Sequence, residues 1–317
     1  MLTKRVTLIF AGLLILASLA ACAPLPPATQ EAPAATSVVT TAPVATAEPT
    51  ATPAPSATPT PAIPDPKTDP QAALLYSSGA QLFKTAEFTY TMTMTMAPAD
   101  DASKAALGDQ LAEVEGFKME MAGSGAMDMT DTENVKMRMD MDLDAAGQQM
   151  SIQMIMLDKT AWVKMSGEDT WTKVEGDKAL SSLPTGVTPD QMVKDFANAV
   201  DAQWIEDTTL NGEAVSHLRF TMDPAKMDLA GLTGSITQGQ DMTAEQLQAM
   251  MKDMKPVVDV WLSKADLQPR GQKMALDFVM SLPAEANVGD AKLRINMLMD
   301  ALYSKVNEPV TIEAPKE

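Results

Sequence analysis

The chemistry open to this chain lies first in sulfur. Of its 317 residues 26 are methionine, against 7 phenylalanines and 1 cysteine. The run from Thr89 to Asp100, "TYTMTMTMAPAD", alternates threonine and methionine three times without a break. Methionines two apart on a strand project from one face, their sulfurs roughly 7 Å apart. Such thioethers suit two purposes. They are soft ligands that select Cu(I), and they are flexible, polarizable side chains that make an adaptable apolar wall. An ordinary filled core is a third reading. Context disfavours copper. The methionines form the hydrophobic faces of whole strands, and the chain lacks the polar, His-containing loops that accompany exposed thioether copper sites.

Other reactive groups are sparse. His217 is the only histidine, and its alternation with Arg219 predicts a side chain facing water. No Cys/His metal cluster can be assembled, nor a conventional Ser-His-Asp or Cys-His nucleophile. Asp140, Asp142 and Asp144 have the opening spacing of a calcium loop, but Ala145 stands where that loop needs glycine and Ser151 where it needs a bidentate glutamate. An acidic, solvated strand face explains the trio. Asn211-Gly212 is turn chemistry, and Gly123-Ser124-Gly125 is too short a signal for a phosphate loop. The reading is a non-enzyme with no catalytic residue, no metal site and no cofactor.

Cys22 has a different context. Lys4 and Arg5 precede an apolar run from Val6 to Leu19, and the run closes in Leu19-Ala20-Ala21-Cys22. Residues 1–22 read as a secretory signal peptide. The closing tetrapeptide resembles the lipobox of bacterial lipoproteins. That resemblance implies a diacylglycerol thioether on Cys22, which becomes the new N-terminus, and hence a cell-envelope protein anchored to a membrane and exposed on its extracytoplasmic side. The apolar run is shorter than the ~20 residues a spanning helix needs. A lone cysteine allows no internal disulfide, so a secreted domain must rely on its core. The formal net charge is −18. Removing Lys4 and Arg5 with the signal makes it more negative still, which excludes nucleic acid as a partner.

The elements that would position the methionines follow from composition and period. Residues 23–70 are nearly all Pro, Ala, Thr, Ser and Val, a disordered, polyproline-like tether between anchor and domain. Residues 71–317 are the folded domain. Asp69-Pro70 opens a predicted helix over Gln71 to Thr85. The period then changes to two. Phe88 to Val174 reads as an antiparallel meander of about five strands, with an interruption at Gly123 and Gly125 that suggests a bulge. A capping box starts a helix over Thr188 to Val200. "WIEDTTLNGEAVSHLRFTMD" reads as a hairpin turning at Asn211-Gly212. A third helix is predicted over Met242 to Met254, followed by three strands. The fold class is mainly β (α+β): a single curved antiparallel half-barrel sheet covered by two or three helices. Alternation places Tyr90, Met92, Met94, Met96, Met137, Met139, Met141, Met150, Ile152, Met154 and Met156 on its inner face. Trp162 and Trp261 join them as cavity-lining, ligand-binding candidates.

Several stretches together carry a family resemblance. "LFKTAEFTYTMTMTM", "AWVKMSGEDTWTKVEG", "IEDTTLNGEAVSHLRFTMD" and "VDVWLSKADLQPRGQKM", with the lipobox, resemble the lipid-carrier lipoproteins of the mycobacterial LppX and LprG type. They are also similar in plan to the carriers LolA and LolB. The resemblance implies an open antiparallel half-barrel closed by helices, with a hydrophobic cavity for acyl chains. The Met-rich, aromatic-poor inner face departs from that pattern, and no family site residue transfers individually. The expected function is therefore a membrane-anchored surface lipoprotein that binds or carries a lipid or other amphiphile. The alternative is a structural or sensory envelope lipoprotein with a filled core and a protein partner, and the third is a Cu(I)-binding protein.

Overall fold

The computed structural model describes residues 62–79, 83–131, 134–145, 147–175, 196–222, 254, 256–282 and 291–316. All of these except Ala62 belong to one compact unit, Ile63–Glu317. Helix α1 (Pro70–Gly79) starts where the sequence places it. Asp69 Oδ1 accepts the Ala72 N–H at 2.9 Å, and Pro70 occupies the first helical position, where its missing N–H costs nothing. The helix was expected to reach Thr85, but Thr85 already opens strand β1 (Thr85–Pro98). The stretch between β1 and the next strand contains two short helices, α2 (Asp101–Leu107) and α3 (Leu111–Glu115). Asp100 caps α2 by accepting the Ser103 N–H at 2.7 Å, and Leu107 and Val114 are buried.

Five further strands complete the meander: β2 (Lys118–Asp128), β3 (Lys136–Ala145), β4 (Gln148–Leu157), β5 (Thr160–Met165) and β6 (Thr172–Glu175). The hairpin β7 (Ala199–Leu210) and β8 (Glu213–Met222) turns at Asn211 and Gly212, both with φ > 0, as a type I′ connection requires. Strands β9 (Val257–Ser263), β10 (Pro269–Ser281) and β11 (Lys292–Ser304) follow. The helix predicted over 188–200 falls mostly outside the described residues, and its last two residues, Ala199 and Val200, belong to β7. The helix predicted over 242–254 lies, except for Met254, outside them.

All eleven strands form one curved, open antiparallel sheet in the order β6-β5-β4-β3-β2-β1-β11-β10-β9-β8-β7. The curved sheet expected from alternation, and the open half-barrel that the resemblance implies, are thus present, with six strands in the meander. Its centre is the pairing of β1 with β11, in register from Glu87↔Ser304 to Pro98↔Leu293. Helix α1 packs on the edge strand β7, and α2 and α3 pack on β1. The β1–β2 register is continuous through Gly123 and Gly125, so no bulge lies there. Instead, the rings of Tyr90 and Phe88 lie over these glycines, and a Cβ built at either would fall within 3 Å of a ring carbon and of a β3 backbone oxygen. The glycines are gaps that let two aromatic rings lie down on the sheet.

Candidate functional site

Directly paired residues of an antiparallel sheet share a face, so the registers assign every candidate. The row Met150–Leu143–Met121–Met92–Met299–Met274 crosses six strands from β4 to β10. The row beside it contains Met119–Met94–Met297. Across β2, β1, β11 and β10, therefore, Met92, Met94, Met119, Met121, Met274, Met297 and Met299 form one contiguous plate of seven thioethers. Towards β4 the same face continues through Met137–Met156, Met139–Met154 and Met141–Ile152. Tyr90 joins it between Gly123 and Ala301, and Met96 opposite Ile295.

Two candidates lie on the other face. Trp162 pairs with Ile155, which is in register with Arg138, Ala126 and Glu87. Its ring stands beside Lys173, with Nζ 5.8 Å from the ring centroid. Trp261 pairs with Gly271 and His217, in line with Leu302 and Thr89. Both tryptophans are therefore removed from the inner face. The cause is parity: Ala161, Val163 and Met165 are the inner residues of β5, and Val258, Val260 and Leu262 those of β9. Conversely, Met119, Met121, Met274, Met297 and Met299 were not among the candidates. The alternation in "KMEMAG" and "INMLMD" was the signal for four of them.

The inner face has two textures. Leu218, Phe220, Val258, Val260 and Leu262 on β8 and β9 are dry, at 0–1% exposure, and Phe220 meets Phe196 edge-on at 5.7 Å. In the plate, Met92, Met121, Met274 and Met299 keep 7–8%, and Met94, Met119 and Met297 are half-buried. Tyr90 is the plate's polar neighbour. Its hydroxyl donates to Met139 Sδ at 3.7 Å, and burial, joined by the charge of Asp142, pushes its ionisation up to about 12.

The outer face is polar. Asp140, Asp142 and Asp144 form a ladder against Gln153, Ser151 and Gln149, at 2.8, 2.6 and 3.2 Å. This is the solvated acidic face expected for the trio, and the described residues hold no metal-binding group of three or more His, Cys, Asp or Glu. A groove of about 500 Å³ runs across β1–β4 here, walled by the Thr91 and Thr93 rows with the Met92 row between them. A site between rows 91 and 93 opens on the threonine side, because on the other side row 92 would be a ridge. His217 is also outer but does not face water. Trp261 stacks on it at 4.7 Å, leaving it 9% exposed, and its Nε2 lies 2.6 Å from Asp259 Oδ1. Asp259 also accepts two bonds from Arg219. Desolvation opposes that carboxylate's charge, but Arg219 and His217 outweigh it and hold its pKa below the usual range.

Fold and face together define an open antiparallel sheet with one polar side and one methionine-rich apolar side. The chain belongs to the family of unknown function DUF6612, whose profile matches residues 108–317. No curated protein matches it. Its structure is similar to that of lipoprotein LppX from Mycobacterium tuberculosis, with 12% identity over 77% of this chain and 97% of that one and a TM-score of 0.37. It is also similar to LprF from Mycobacterium bovis, at 12% identity, 79% and 98% coverage and a TM-score of 0.43. A DUF1329 family protein from Desulfovibrio piger gives 8% identity, 79% and 96% coverage and a TM-score of 0.24. No helix among the described residues is long and apolar enough to cross a membrane.

Proposed function

We propose that this is a membrane-anchored surface lipoprotein whose sheet binds or carries a lipid or another amphiphile on its inner face. The supporting observation is the contrast between the methionine plate and the dry β8–β9 block. A filled core favours branched side chains with fixed rotamers, as on β8 and β9. Unbranched thioethers on four adjacent strands make a face that repacks around guests of varied shape. Each methylene that such a face takes from water contributes about 0.8 kcal/mol, so one acyl chain binds without any covalent step. The lipid on Cys22 holds the protein at the membrane from which its guest comes.

The test uses protein purified from its own membrane. Native mass spectrometry is expected to show one co-purified lipid and a diacylglycerol on Cys22. After delipidation, a fluorescent phospholipid or fatty acid should be taken up, and the double change Met92→Gln with Met299→Gln should weaken uptake at least tenfold. Absence of both co-purified lipid and uptake would sink the carrier reading in favour of a filled core with a protein partner.

A further inference from the structure

Gln272 is anomalous on the apolar face. It lies in the row Tyr90–Ala301–Gln272–Val260–Leu218, one row from Met92, Met299 and Met274. It is 3% exposed, and its Nε2 has no hydrogen-bond partner among the described residues. A buried amide nitrogen with no acceptor is a marked destabilisation, which a leucine at this position would avoid. Ser77 Oγ is also buried and unpaired, but a helical hydroxyl can rotate onto its own helix's carbonyls. A strand amide has no such recourse, and turning it over only exchanges one polar end for the other. Tyr90 leans over Gly123 towards β2, and Ala301, between Tyr90 and Gln272, contributes only a methyl.

We infer that Gln272 is the polar anchor of the inner-face site and donates a hydrogen bond to a neutral ester carbonyl of the bound lipid. The acyl chains then lie over the neighbouring methionines. A free fatty acid fits less well. A buried carboxylate needs a cation, and Arg270, two residues along β10, is already held by Glu213 at 2.7 Å and Asp266 at 3.2 Å. The chain's net charge of −18 opposes anions further. The ligand class is an acylglycerol or another carboxylic ester.

This inference rests on the lipid-binding reading, so its test separates the two. The delipidated full-length protein is titrated with a fluorescently labelled diacylglycerol and with its dialkyl-ether twin of equal chain length, which lacks the carbonyls. The wild type is expected to bind the ester about five- to tenfold more tightly, the effect of one neutral hydrogen bond. Gln272→Leu should lower ester affinity to that of the ether and leave ether affinity unchanged. Its thermal midpoint should equal or exceed that of the wild type; if Gln272→Leu does not fold, Gln272→Met is read in the same way. Equal wild-type affinities, or a preference that survives the substitution, overturn the anchor and leave lipid binding standing. Binding of neither twin overturns both.

Discussion

Tyr90 shows how much one residue can report on the inner face. Its folded ionisation, about 12, lies above the usual value near 10. The folded chain therefore keeps a phenolic proton that the unfolded chain gives up. That contribution to stability is complete below about pH 10 and is lost as pH rises through about 12. Denaturant midpoints should accordingly fall less over this range for Tyr90→Phe than for the wild type; parallel curves would show that the ring is solvated. At the same scale, the tryptophans show where sequence reading stops. In "TAWVKM" both parities carry apolar residues, so alternation alone does not fix which side of the strand faces inward. Thr160 and Lys164, which share a face with Trp162, and Asp259 and Ser263, which share one with Trp261, mark the outer side. The methionines of β3 were legible because its other parity is wholly polar: Lys136, Arg138, Asp140, Asp142 and Asp144. The burial of His217 is not legible in its own strand, because its cover, Trp261, comes from a strand more than forty residues later in the chain.

Among the elements, β11 lies beside the central strand, β1. It pairs with β1 on one side and β10 on the other, so its backbone groups are engaged on both edges. Leu298 lies at its middle, on the outer face and 42% exposed. Leu298→Ala should change stability by about 0.5 kcal/mol or less. Leu298→Pro deletes a ladder hydrogen bond with little change in side-chain burial, and should cost about 3 kcal/mol or more by urea denaturation. Similar values for the two variants would mean that the β1–β11 ladder is not what joins the halves of the sheet. Alternation could not reveal this ladder, since it fixes which way a side chain points and not which strand lies alongside. Nor could it reveal α2 and α3, whose seven and five residues are too few for a helical period to emerge. The type I′ turn at Asn211-Gly212 was legible because only a few residue types tolerate its backbone.

At the scale of the whole molecule, strand order follows chain order within two runs, β1 to β6 and β7 to β11, and departs from it once, where the first strand meets the last. The methionine plate straddles that junction. Neither run alone presents the complete inner face, and a chain ending at Ala291 should lose both amphiphile uptake and a single cooperative unfolding transition. Retention of either by such a chain would show that the runs fold as independent units. The same junction has a consequence during synthesis. Until β11 emerges, β1 and β10 each offer an unpaired edge, beside an apolar face that has nothing to close it. A nascent copy is then a template for its neighbours, and the segment that completes the core also ends the interval in which chains can join one another.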